Sequence, residues 1–164
     1  MNTTEQVIRA LVQGLKTAGL PAVAAWQRDK LPALQEAAAV VGIERTESEP
    51  TAFSEYLGTA YDAAKDCFVE RFGRRLNLTL YVDLYAPRES AAALEAGWNR
   101  LEEMLLSPLA GLRMRSVRRG SIEHDRRSAY LKCRCMLSCT AFFTAERSEE
   151  GALLQDFILK GMVE

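Results

Sequence analysis

The chain has very little histidine and lacks the short motifs that mark common catalytic sites. His124 is the only histidine, and it lies beside Asp125 in a segment that predicts a turn or hairpin. A Cys-His or Ser-His hydrolase would need this imidazole next to a nucleophile and oriented by a third group. No G-x-S-x-G or comparable nucleophile motif accompanies it. We therefore interpret His124 as a surface residue near a hairpin end.

Glycine-rich phosphate-binding loops are also missing. The glycines are scattered singly, and neither "GTAYDAAK" nor "GSIEHDRR" has the pattern that lets backbone amides hold a phosphate. We expect no enzymatic activity, no catalytic residues and no cofactor. The alternative is an enzyme that binds a small molecule or nucleotide on its sheet. It would require a deep pocket that contains His124 or the thiols with shifted pKa values.

Neither a long apolar run nor an excess of charge of one sign is present. Twenty-one Lys and Arg against 22 Asp and Glu leave a formal charge of −1, which gives no global reason to expect nucleic acid or a membrane surface as partner. No window approaches the ~18 apolar residues of a membrane span, and the N-terminus lacks the features of a secretory signal. We expect a cytoplasmic protein with a single domain over residues 1–164.

Four cysteines occur, but not at the spacing of a zinc knuckle. Cys133, Cys135 and Cys139 form C-x-C-x3-C, with Cys67 as a conceivable fourth ligand, whereas structural zinc sites normally use spacings such as C-x2-C. In a strand the three thiols would lie in line on one face, at least ~6.6 Å apart, which is awkward for one tetrahedral ion. Because buried cysteine is a common small core residue, the pattern favours core packing over metal binding or redox chemistry.

The most regular stretch is "RLNLTLYVDLYAP", residues 75–87, which predicts a strand over 74–86 ended by Pro87. One parity is apolar and the other polar or aromatic, so one face is predicted to be buried and the other to meet solvent or a partner subunit. The apolar parity comprises Leu76, Leu78, Leu80, Val82 and Leu84, and the other comprises Asn77, Thr79, Tyr81, Asp83 and Tyr85.

Two amphipathic helices are predicted, over 3–19 and over 90–106. In the first, Thr3 and Gln6 fit a capping box and Gly19 supplies the stop. In the second, Ser90 fits the N-cap position. Both helices carry one apolar stripe that requires a sheet or another helix to cover it.

The remaining segments predict more strands than helices. We expect a strand over 38–46 that runs into an exposed acidic loop, and a short helix or a long loop over 53–73. Two extended runs flank Gly120, and a turn at 125–127 leads to a strand over 128–144. "LLQDFILKGMVE" predicts a final short strand or helical turn. This order favours an α+β fold, with an antiparallel or mixed β-sheet and two main helices packed on one face.

Basic residues are concentrated within 22 residues of the last third, and an acidic segment precedes the regular strand. A solvated sheet face and contacts between subunits both explain this pattern. Nucleic-acid binding is less favoured, since few aromatics interleave the arginines. The basic residues are Arg113, Arg115, Arg118, Arg119, Arg126, Arg127, Lys132 and Arg134, and the acidic ones are Glu44, Glu47, Glu49 and Glu55.

The order of segments resembles prophage proteins of the tail-terminator or tail-completion type. The resemblance spans roughly residues 38–162 and rests on "VVGIERTESEPTAFSEYLG", "VERFGRRLNLTLYVDLYAPRES", an amphipathic helix, "GSIEHDRRSAYLKCRCMLSCTAFF" and "DFILKG". It implies a structural α+β subunit that assembles into a ring, commonly a hexamer, at the head-proximal end of a phage tail. Such a ring stops tube polymerisation and docks to the head connector.

The resemblance also implies partners and a location. The partners would be further copies of the chain, the tail tube and head-connector proteins, with no membrane and no specific nucleic acid. The protein would be cytoplasmic in the host cell and part of the virion tail when assembled. The alternative is another virion part, such as a head-tail joining, tube or baseplate subunit. The candidate interface residues are Tyr81, Tyr85, Arg113, Arg115, Arg118, Arg119, Lys132 and Arg134.

Overall fold

A six-stranded sheet with two α-helices makes up the described part of the chain, so the predicted α+β class is confirmed. The computed structural model describes residues 4–30, 33–109 and 111–148. The elements are α1 (Thr4–Thr17), β1 (Ala22–Ala24), a 3-10 helix (Ala25–Lys30), β2 (Ala38–Pro50), β3 (Tyr56–Asp62), β4 (Cys67–Ala86), α2 (Ala91–Leu106), β5 (Leu112–His124) and β6 (Leu131–Ser148).

The sheet has the order β1-β2-β4-β6-β5, with only the β1–β2 pair parallel. β3 pairs with the first residues of β4, beyond the end of β2, so β2 and β3 lie in tandem along one side of β4. β6 accompanies β4 along its other side, from the pair Ala86–Leu131 to the pair Val69–Ser148. The long central strand β4 therefore organises the whole sheet.

Both helices are covered by the sheet as their apolar stripes predict. Val7, Ile8, Leu11 and Leu15 of α1 are buried, and a similar stripe of α2 is buried through Leu94, Gly97, Leu101 and Met104. α1 ends at Thr17, two residues before the predicted stop at Gly19, where φ is +79°. The Gly19 and Leu20 amides donate to the carbonyls of Lys16 and Leu15 at 3.0 and 2.9 Å, which satisfies carbonyls at the helix end.

The face assignment of the regular strand is confirmed on its helix side. Leu78, Leu80, Val82 and Leu84 are buried against the helices together with alternate residues of β6. The apolar core reaches the cross-strand pair Leu76–Ala141, and no residue of the sheet beyond that pair belongs to the core cluster. We call this extension the arm: β3, residues 67–75 of β4 and residues 142–148 of β6.

Several predicted boundaries are wrong, and each error has the same physical origin. The acidic half of 38–50 is a strand rather than a loop, and 53–73 contains β3 and the start of β4 rather than a helix or long loop. β4 begins at Cys67 rather than at 74. These residues are strands because neighbouring strands complete their hydrogen-bond ladders, although burial imposes no apolar alternation on them.

The last third differs in smaller ways. β5 is one strand rather than two runs, with a register shift between Arg119 and Ile122 around Gly120. β6 covers 131–148 instead of 128–144, because Ala129 has a φ of +58° in the turn. Ser90 occupies the N-cap position of α2 without a side-chain capping bond. The predictions for "LLQDFILKGMVE" and for Thr3 in the capping box lie outside the described residues.

Candidate functional site

The three cysteines of β6 pack in the core, as predicted. Cys133, Cys135 and Cys139 are buried free thiols on the helix side of the sheet, and Cys67 is a half-buried free thiol in the arm. Burial raises the pKa of Cys135 to about 12 and that of Cys139 to about 11, so both stay protonated at neutral pH. Among the described residues, no group of three His, Cys, Asp or Glu side chains is placed to hold a metal ion.

His124 is exposed at the end of β5, where it pairs with Leu131 of β6. Its predicted position near a hairpin end is confirmed. A depression of about 250 Å³ on the open face of the sheet, opposite the helices, is lined by Arg45, Glu47, Asn77 and Arg115 among others. Cys139 also borders it, but its thiol is buried in the core on the other side of the sheet.

A buried carboxylate organises the open face. Asp83 is only 4% exposed, and the Arg134 guanidinium opposite it donates to both carboxylate oxygens at 2.7 and 2.9 Å. The ammonium of Lys132 lies 3.1 Å from the same carboxylate. These hydrogen bonds raise the pKa of Arg134. A bidentate charged pair of this kind fixes both position and orientation of its partners.

The two tyrosines proposed for an interface are both held by their own chain. The guanidinium of Arg134 lies 4.6 Å from the ring centroid of Tyr81, and the ring packs on Gly42, where an added Cβ would lie 2.2 Å from it. Tyr85 is 3% exposed, beneath Arg28 and Lys132, and burial raises its pKa. Tyr81 is therefore partly available to a partner, while Tyr85 is buried and packs under the side chains of Arg28 and Lys132.

The predicted basic residues of β5 divide into two groups. Arg113, Arg115 and Arg118 are exposed and form no ion pair within the described residues. Arg119 is half-buried and donates through both terminal nitrogens to Glu95 of α2, one of these bonds being 2.8 Å. This contact lowers the pKa of Glu95, so Arg119 joins α2 to β5 instead of standing free on the surface.

Glu44, Glu47 and Glu49 lie on the outer half of β2, not in the loop that the sequence predicted, whereas Glu55 lies in the loop between β2 and β3. Glu49 pairs with Arg75 at 2.6 Å and Glu47 pairs with Arg45, both close to the surface. Glu44 lies 4.0 Å from Arg134. That contact is the single ion pair that joins the acidic and basic segments in the described part of the chain. Glu47 and Arg115 line the same depression, and the pKa of Glu49 is lowered by Arg75 and, to a smaller extent, by the charge of Arg115.

An aromatic face lies on the arm and was not predicted from the sequence. Because Phe68 and Phe72 continue the parity of the buried leucines of β4, they face the same side of the sheet as the helices. Tyr61 and Tyr56 are their cross-strand partners, with ring centroids 5.3 and 5.8 Å apart. Phe143 lies on the same side opposite Arg74. We define the aromatic face as these residues: Tyr56, Tyr61, Phe68, Phe72 and Phe143.

No helix covers this face within the described residues, and much of it is exposed: 66% of Phe68, 53% of Tyr61, 45% of Tyr56 and 38% of Phe143. The signal was present in the sequence, since Phe68 and Phe72 precede Leu76 at even spacing. It was obscured by the charged residues between them. Nor does any helix in the described part of the chain have the length and apolar character needed to cross a membrane.

Comparisons with known proteins identify no relative. A scan against protein-family models found no family that matches the chain, and a search of curated proteins found no significant match.

Proposed function

We propose that the chain is a structural subunit of a phage or prophage tail, a terminator that forms a ring, caps the tail tube and docks to the head connector. The observation that supports this most is the aromatic face, which leaves apolar rings uncovered on an extension of the sheet. Contiguous exposed apolar patches mark interaction sites, and aromatic side chains are enriched at interface cores. The order of segments, which resembles that of tail terminators, supplies the kind of assembly.

The size of the aromatic face favours assembly that depends on concentration or on a template. The four exposed fractions sum to about two whole side chains, or roughly 400 Å² at ~200 Å² for each aromatic residue. Covering that area contributes at most ~10 kcal/mol at ~25 cal/mol per Å². Association costs about 4–15 kcal/mol in lost freedom of motion. One contact of this size is marginal, whereas a closed ring repeats it at every boundary.

We therefore expect a monomer or weak oligomer at low concentration and a closed ring at high concentration or on the end of a tail tube. Sedimentation velocity across protein concentration, with electron microscopy of tail tubes mixed with the protein, measures both. A chain that stays monomeric at millimolar concentration and fails to bind tube ends would contradict the proposal. Binding along tubes or to baseplates instead of tube ends would indicate the alternative, another virion part.

The aromatic face itself is tested by Tyr61→Ser combined with Phe68→Ser. Because these rings contribute nothing to the core cluster, we expect the monomer to keep its melting temperature within a few degrees while ring formation is lost. Leu106→Ser is the matched control, since this leucine at the end of α2 is 87% exposed but lies outside the arm. Equal loss of assembly in both variants would show that general surface hydrophobicity, rather than this face, drives association.

A further inference from the structure

Both lateral edges of the sheet have unpaired stretches. β5 pairs only with β6, and residues 43–50 of β2 pair only with β4, because β1 covers β2 no further than Val41. Among the described residues, both stretches thus present a row of backbone N–H and C=O groups without partners in the sheet. Such edges are templates for pairing with another chain. The edges differ in charge: β5 carries Arg113, Arg115 and Arg118, which form no ion pair within the described residues, whereas β2 carries three glutamates and Arg45.

We infer that neighbouring copies of the chain join edge to edge, with β5 of one copy pairing antiparallel with residues 43–50 of β2 of the next. The inference rests on the proposed function in one respect, the assembly of identical subunits in a ring. The direction follows from the topology: β2, β4, β6 and β5 alternate in direction. A second copy placed beside the first in the same orientation therefore brings its β5 antiparallel to β2. Such a head-to-tail contact generates a ring when the rotation between copies closes.

One register of this pairing sets charges of opposite sign against each other on the open face. In an antiparallel pair the residue numbers of opposed positions have a constant sum. A sum of 165 places Arg118 opposite Glu47, and Ser116, which follows Arg115, opposite Glu49. These four positions face the open side of the sheet in their own copy. Arg45 then faces Gly120, so no like charges are opposed. Directly opposed residues lie ~4.5–5.5 Å apart at their Cβ atoms, close enough for ion pairs.

The bulges on the two edges are compatible with this register. β5 has a register shift between Met114 and Ser116, and β2 has one between Ile43 and Arg45. Both shifts lie outside the matched stretch, which pairs residues 116–119 of β5 with residues 46–49 of β2. The sum therefore stays constant over these four pairs.

The register also produces the stagger that a closed ring requires. Within one copy Ser116 is level with Arg45, through the cross-strand partners Ser138 and Thr79. Pairing Ser116 with Glu49 displaces the next copy by four residues, about 14 Å at ~3.4 Å per residue. Closing a sheet into a barrel tilts the strands and staggers their register in this way. The charge pattern and the geometry of closure therefore favour the same arrangement.

Charge reversal with exchange between chains tests this inference. We expect Arg115→Glu with Arg118→Glu to reduce ring formation at least tenfold, and Glu47→Lys with Glu49→Lys to do the same. An equimolar mixture of the two variants should restore rings in which the variants alternate. Half of the junctions then join two reversed edges and the other half join two unmodified edges, and both kinds bring opposite charges together. Arg126→Glu with Arg127→Glu is the control, since it makes the same change in net charge at the exposed β5–β6 turn.

Backbone pairing is tested separately by hydrogen exchange of the unmodified chain. Assembly should slow amide exchange in β5 and in residues 43–50 of β2. Lack of new protection on these strands, or failure of the mixture to assemble, would overturn edge pairing. If the unmodified chain still forms rings that depend on Tyr61 and Phe68, the proposed function survives that result. If the unmodified chain forms no rings and binds no tube ends, both proposals fail.

Discussion

Adjacent residues of β4 should respond in opposite ways to the same charge. Leu80 is fully buried among the core residues that face the helices, whereas Thr79 is half-exposed on the open face opposite Arg45. Leu80→Asp loses about 2–3 kcal/mol of apolar burial and places a carboxylate without partners in the core, which costs at least a further ~2–7 kcal/mol. The sum is comparable to the whole stability of a small domain, about 5–15 kcal/mol. We expect Leu80→Asp to unfold the chain or cause aggregation.

Thr79→Asp is the matched substitution, because it introduces the same side chain one position away. Its carboxylate would lie opposite the Arg45 side chain on a partly hydrated surface, where an ion pair is worth ~0–1 kcal/mol. Thermal unfolding followed by circular dichroism, together with soluble yield, measures both variants. We expect Thr79→Asp to melt within a few degrees of the unmodified chain. If both variants unfold, or if both fold, the assignment of the two faces is refuted.

Two further predictions concern the packing on either side of the sheet. Gly42→Ala should destabilise the fold by about 1–3 kcal/mol, since the new methyl overlaps the Tyr81 ring. A double-mutant cycle with Tyr81→Ala in chemical denaturation should show that the cost is largely relieved, and an additive cost would contradict this contact. Burial of Cys133, Cys135 and Cys139 should leave Cys67 as the one thiol of four that reacts rapidly with a thiol reagent in the folded chain at pH 8. All four should react in denaturant, and rapid reaction of more than one in the folded chain would show that the thiols of β6 are accessible.

The sequence was a reliable guide where burial imposes a period and a poor one elsewhere. The alternation over 76–84 and over 131–141 predicted both core strands and their faces, because a half-buried strand must alternate. The apolar stripe of α1 and the stop of the helix near Gly19 were also predicted from the sequence. The strands of the arm were not predicted, because they are held by cross-strand hydrogen bonds and their apolar rings are exposed. Without burial in the core, no apolar alternation distinguishes Phe68 and Phe72 from the charged residues between them.

The candidate site was partly predictable for the same reason. Arg113, Arg115 and Arg118 were identified from local charge alone, and they are exposed on an edge strand. Arg119 belongs to the same basic segment, but its guanidinium is bound to Glu95 of α2. That pairing depends on the tertiary position of a helix 24 residues earlier in the chain. Charge clustering thus locates a basic strand, whereas topology decides which cations remain available to a partner.

The arm has fewer contacts to fix its strands than the rest of the sheet has, so we expect its stability to depend on assembly. In the rest of the sheet, outside the arm, contacts on both faces specify one register. The leucines of β4 pack under the helices, while Asp83 binds Arg134 and Lys132 on the open face. A slip of one residue would expose the core and separate the buried carboxylate from both cations. In the arm, the helix-side face has only the paired rings to fix it. Because covering those rings would add the missing burial, we expect the arm to exchange its amides faster than the rest of the sheet in the monomer. If the proposed ring forms, the arm should become protected in it.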